Sequence, residues 1–184
     1  MKKTKIFSIV CLISAVIIIM LIVRVENSFE NAMIKLNSDD EISILKIIDS
    51  ERNPIVFYSQ FSGDISYTKY VKSLFGYKEE ITGVQGINEF VNKKGFSVID
   101  IPMKNEKKGE TVLFGVIDKE KIDYIELQLK QSKIIPNIYI GESNALWYQI
   151  LDYNDYENLD SLIILSYKNG VKYSELDYNL EKAN

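Results

Sequence analysis

From Ile6 to Val23 the chain reads IFSIVCLISAVIIIMLIV, 18 residues without a charge. As a helix this run is about 27 Å long, close to the thickness of a bilayer's hydrocarbon core. It is apolar all round, whereas a helix lying on a globular core needs only one apolar face. Residues 1–26 therefore read as a Lys-bearing flank and a membrane anchor, with lipid around a span at 6–23. A cleaved signal peptide has a shorter apolar region and small residues at the cut; here Arg24, Val25 and Glu26 follow. Cys11 follows Ile9 and Val10 inside the run, unlike a lipid-attachment Cys, which follows a small residue near the end. Lys2, Lys3 and Lys5 precede the span and only Arg24 follows closely. The N-terminus is then cytoplasmic, and the chain from about residue 27 is extracytoplasmic.

Beyond the span, residues 25–37 either continue the helix out of the membrane or form a short tether; 27–37 is assigned as the tether and 38–184 as one domain. Ser38 and Glu41 have capping-box spacing, with Asp39 and Asp40 well placed against a helix dipole. Ile42, Leu45 and Ile48 share a helical face, so a helix is predicted over 38–50, ending before Asn53-Pro54. After Pro54 the pattern changes to strands. In IVFYSQF (55–61), Ile55, Phe57 and Phe61 face one way. A turn at Ser62-Gly63-Asp64 and alternation from Ile65 predict a hairpin. A third strand is predicted over 74–81, and a short helix over 87–94 closed by Gly95. Further strands are predicted at 96–101, 111–117, 122–130, 134–140, 145–151, 161–167 and 171–177. In the third of these, Ile125, Leu127 and Leu129 alternate with Glu126, Gln128 and Lys130. Asn169-Gly170 joins the last two as a two-residue hairpin. The fold class is α+β, mostly β, with a C-terminal antiparallel sheet or sandwich.

The strings KSLFGYK (72–78), VLFGVI (112–117), LWY (146–148) and YKNGVKY (167–173) resemble those of small single-anchor envelope proteins of low-GC, bacillus-type Gram-positive bacteria. The resemblance covers about two-thirds of the chain and implies an envelope location. It implies no catalytic residue.

Composition narrows the chemistry. The chain has no His and one Cys, which excludes His-based triads, His metal ligands, an intramolecular disulfide and Cys-cluster zinc sites. Setting aside Lys2, Lys3, Lys5, Arg24 and Glu26 leaves 18 basic and 25 acidic residues, a net charge of −7 for residues 27–184. An acidic domain without a basic block is not built for nucleic acid.

Three candidate sites remain. Ser66 and Lys69 match S-x-x-K, the nucleophile and base of some cell-wall acyltransferases. That motif needs a helix to put both side chains on one face, and this segment alternates like a strand. Its companions S-D-N and K-T-G are absent. Asp152, Asp155 and Asp160 stand in DYNDYENLD, an oxygen-rich stretch of the kind that holds Ca²⁺. An EF-hand counted from Asp152 fails, with Tyr156 at the fifth position, Glu157 at the sixth and Ile163 at the twelfth. The signal-peptidase pattern S-x-M-x-P also fails at Ser28, in NSFENAM. The 12 Tyr, with Tyr153, Tyr156, Tyr167, Tyr173 and Tyr178 near Trp147-Tyr148, fit strand packing or a partner surface. Trp147 itself reads as a core plug.

The sequence thus points to a single-pass envelope protein with an extracytoplasmic interaction or sensory module. Such a module is non-catalytic, needs no cofactor or metal, and meets a protein or cell-wall partner. A membrane-tethered hydrolase using Ser66-Lys69 or carboxylates, and an accessory subunit of a membrane complex, are the alternatives.

Overall fold

The computed structural model describes residues 2–38, 42–60, 64–102, 111–130, 132–140, 144–151 and 161–178, with side chains of the first helix described from Val10 onward. Helix α1 runs Lys2–Glu26. Every side chain on it from Val10 to Ile22 is exposed. Among the described residues no single helix is long and apolar enough to cross a membrane. Val10–Glu26 taken with Phe29–Leu36, a pair bent by 43°, is so by length and composition.

The expected tether holds a second helix, α2 (Phe29–Asn37). Ser28 caps it, its hydroxyl accepting from the Asn31 N–H at 3.2 Å. Phe29, Ala32, Met33 and Leu36 form its apolar stripe and pack on Val56, Tyr58 and Tyr70.

The helix predicted over 38–50 is not formed. Ser38 is the C-cap of α2, and Ile42–Ile48 is strand β1; Asp39–Glu41 lie outside the described residues. A β-bulge is the reason. Ile44 pairs with Tyr58 and Lys46 with Phe57, so Leu45 is an extra residue. Ile42, Ile44 and Ile47 therefore face α2, while Leu45 and Ile48 face the other way. One inserted residue turns a period of two into spacings of three, which imitate a helix.

Strands β2 (Ile55–Gln60), β3 (Ile65–Ser73) and β4 (Gly76–Gln85) continue from β1 as an antiparallel meander, the first sheet. The predicted hairpin is present; Phe61, Ser62 and Gly63 lie outside the described residues. The third strand begins at Gly76 rather than at Leu74, because Leu74 and Phe75 form the turn, and it continues to Gln85. Helix α3 (Glu89–Lys94) follows, ended by Gly95 at φ 84° as predicted.

The second sheet has the order β5-β6-β10-β9, from β5 (Ile99–Pro102), β6 (Thr111–Ile117), β9 (Asn137–Ile140) and β10 (Ala145–Leu151). The third has the order β12-β11-β7-β8, from β7 (Tyr124–Leu129), β8 (Ser132–Ile134), β11 (Ile163–Lys168) and β12 (Val171–Asp177). The strand predicted at 134–140 is divided at Ile135-Pro136, and its halves join different sheets. Asn169 and Gly170 take φ 52° and 75°, as their hairpin requires.

The three sheets stack. Ile55, Phe57, Ile65 and Tyr67 of the first meet Val112, Phe114, Leu146 and Tyr148 of the second. The second sheet's other face gives Leu113, Ile117, Trp147 and Leu151 to a core with Ile125, Leu127, Ile164 and Leu176 of the third. Covered on both sides, β6 is buried at every residue, which is why TVLFGVI reads as an almost unbroken apolar run. Gly115 interrupts it because a Cβ there would run into the Ser97 carbonyl and the Trp147 indole.

Candidate functional site

The first feature is the junction of the helices with the first sheet. The Asn27 carbonyl, between α1 and α2, accepts from the Tyr77 N–H at 2.6 Å. The Asn31 amide donates to the Val25 carbonyl at 2.8 Å and closes the end of α1. Gly76, at φ 109°, lies so close to Asn27 that a Cβ would overlap it. Phe29 meets the rings of Tyr70 and Tyr77 at 5.6 and 5.7 Å, and the Tyr77 hydroxyl donates to the Glu51 carbonyl at 2.7 Å. A cavity of about 400 Å³ opens here, with Glu26, Lys35, Lys78 and Glu79 at its wall and Tyr70 in its floor. Burial, helped by Glu79 and Tyr58, pushes the Tyr70 phenol up to about 12.

A second cavity of about 400 Å³ lies between the end of β4, α3, β5 and Tyr178. Phe90, Val98 and Ile99 make its apolar wall; Gln85, Asn88 and Asp100 supply polar groups. Local sequence fixes the frame. Asn88 caps α3 by accepting from the Val91 N–H at 3.0 Å. Ser97 is held by its hydroxyl, which accepts from the Val116 N–H at 2.9 Å, and by its carbonyl, which accepts from the Trp147 indole at 2.9 Å. The Tyr178 hydroxyl donates to Asp100 at 2.7 Å. Apolar walls with a few convergent polar groups are the composition of a ligand cleft. A carboxylate on its wall suits a ligand with hydrogen-bond donors or a positive end.

At the opposite sheet edges, the Lys46 ammonium lies 5.3 Å from the Tyr139 ring centre and 5.9 Å from that of Tyr148. The Tyr139 phenol is held below its usual range by hydrogen bonds with Tyr148 and Lys46, and Lys46 is raised by the same neighbours, Tyr139 first. Burial raises Tyr148. This cluster ties β1 to β9.

The structure does not bring Ser66 and Lys69 together. Ser66 pairs with Tyr58 and faces α2; Lys69 pairs with Ile55 and faces the second sheet. Lys69, 1% exposed, forms an ion pair with Glu80 at 2.8 Å. The buried Ser66 hydroxyl has no hydrogen-bond partner among the described residues. Asp152, Asp155 and Asp160, with Tyr153 and Tyr156, lie outside the described residues. No group of three His, Cys, Asp or Glu able to hold a metal ion occurs among the described residues. Trp147 is fully buried, Tyr167 stacks on Tyr124 at 4.8 Å, and Tyr173 is exposed. The α3 cleft was not legible in the sequence, because Asp100 and Tyr178 meet across 78 residues.

No protein-family model, curated protein or solved structure matches this chain.

Proposed function

We propose that this chain is a single-pass envelope protein whose stacked sheets form an extracytoplasmic, non-catalytic binding or sensory module. The observation that carries the reading is the junction: α1, whose side chains from Val10 to Ile22 are all exposed, leads into Asn27, which is hydrogen-bonded to the first sheet at Tyr77. Helix α1 is continuous from Lys2, so residues 6–23 make one uncharged helical run of about 27 Å. Apolar side chains exposed all round the helix, as they are from Val10 to Ile22, belong in lipid. The domain is then a short post carried on its span.

The α3 cleft is the binding site in this reading. Gln85, at its rim, is nine residues along β4 from Gly76 at the junction. At about 3.3 Å per residue the cleft stands about 30 Å from the membrane side. That is where a cell-wall or protein partner is met. Asp100 and Asn88 would orient the ligand, and Phe90, Val98 and Ile99 would take its apolar part.

Alkaline carbonate extraction of membranes tests the anchor. The chain is expected to stay in the pellet, and a Val16→Arg/Ile19→Arg variant is expected to be released, since each Arg at a span centre costs roughly 2.5–3.5 kcal/mol. Release of the unaltered chain would refute the anchor.

A further inference from the structure

The β3–β4 turn carries residues unsuited to a turn in water. Ser73 pairs with Gly76, leaving Leu74 and Phe75 as the two loop residues. The Ser73 hydroxyl accepts from the Phe75 N–H at 3.3 Å and donates to the Gly76 carbonyl at 2.8 Å, so the turn is held in shape. Two-residue turns draw Asn, Asp and Gly, and the β11–β12 turn of this same chain has Asn169-Gly170. Leu74 is 78% exposed and Phe75 45%.

One exposed apolar residue needs no explanation. Position gives this pair its meaning. Helix α2 starts with Phe29 against Tyr70 and Tyr77, at the turn end of the first sheet. It ends at Ser38, shortly before β1 begins opposite Gln60 at the other end. Since α1 is bent by only 43° from α2, it projects from the turn end, away from the sheet. Turn and helix therefore leave the domain on the same side, joined through Gly76 and Asn27. Asn27 is four residues past Val23, the last residue of the uncharged run, or about 6 Å along the axis. The polar layer beside a hydrocarbon core is about 5–7 Å thick on each side. With residues 6–23 in the core, Leu74 and Phe75 fall in that layer.

We propose that Leu74 and Phe75 insert into the interfacial layer of the bilayer that α1 crosses, giving the domain a second point of attachment. This rests on the membrane reading above. Two attachments fix the tilt of the post, and so the direction in which the α3 cleft is presented.

The test is spin-label accessibility on the full chain in phosphatidylcholine vesicles. Labels go on Leu74→Cys, on Val16→Cys in α1 and on the exposed Val171→Cys, each in a Cys11→Ser background. The Leu74 label is expected to favour collision with oxygen over a water-soluble nickel chelate, at a ratio between those of the other two. If the Val16 label is lipid-embedded but the Leu74 label matches Val171, insertion is wrong and the span stands. If the Val16 label is itself water-accessible, the span fails and insertion fails with it.

Discussion

Asn27 and Tyr77 are joined backbone to backbone: the carbonyl between α1 and α2 accepts the N–H of the second residue of β4, at 2.6 Å. With Gly76 pressed against Asn27, this contact fixes the break between α1 and α2 to the first sheet.

Gly76→Ala tests that contact. The position has φ 109° and no room for a Cβ beside Asn27. Strain of about 1–3 kcal/mol is expected, together with a loss at the junction. Gly170→Ala is the control, since φ there is 75° with nothing within 4 Å, and only backbone strain of about 1 kcal/mol is expected. Urea unfolding of both variants measures the difference, and equal losses would show that the junction is loose.

Trp147→Ala is expected to cost roughly 3–5 kcal/mol, because the ring is fully buried between two sheets and its N–H binds Ser97. Ser66→Ala removes a buried hydroxyl that has no partner among the described residues. It is expected to be neutral or slightly stabilising, within about 1 kcal/mol. A large loss from Ser66→Ala, seen by the same unfolding measurement, would mean that the hydroxyl has a role.

Tyr70 makes stability fall at high pH. Its phenol titrates near 12 when folded and near 10 when unfolded. Between those values the folded state holds the proton and the unfolded state releases it. The contribution is therefore complete below about pH 10 and is lost as pH rises toward 12, on the order of 2 kcal/mol. Tyr70→Phe is expected to flatten the alkaline limb of the pH–stability curve; an unchanged limb would contradict the burial of Tyr70.

Asp100 and Tyr178 are expected to be coupled. A double-mutant cycle of Asp100→Asn and Tyr178→Phe should give about 1–3 kcal/mol, the value of a hydrogen bond to a charged group. Additive losses would show that the cleft wall is not held by this pair.

Much of the fold was legible because most strands obey one simple rule. The alternation at 122–130, the apolar run at 111–117 and Asn169-Gly170 each correspond to what forms. Misreadings arose where that rule is broken locally. The bulge at Leu45 gave β1 a helical spacing. The stripe of α2 was overlooked because it follows an apolar run, although Ser28, Phe29, Ala32, Met33 and Leu36 carry a cap and an i, i+3, i+4, i+7 face. Pro136 marks a sheet-to-sheet crossing inside what reads as one strand. The α3 cleft had no local signal, since Gln85, Asp100 and Tyr178 come from three separate stretches. The S-x-x-K spacing was legible but empty of geometry, since a strand turns Ser66 and Lys69 to opposite faces.

The most direct measurement is protease accessibility of a C-terminal epitope on the full chain in intact protoplasts. With residues 6–23 in the membrane as proposed, Lys2, Lys3 and Lys5 would keep the N-terminus inside and the domain outside, so added protease is expected to remove the epitope while a cytoplasmic marker survives. An epitope protected in intact protoplasts and digested only after lysis would place the domain inside and contradict an extracytoplasmic binding module.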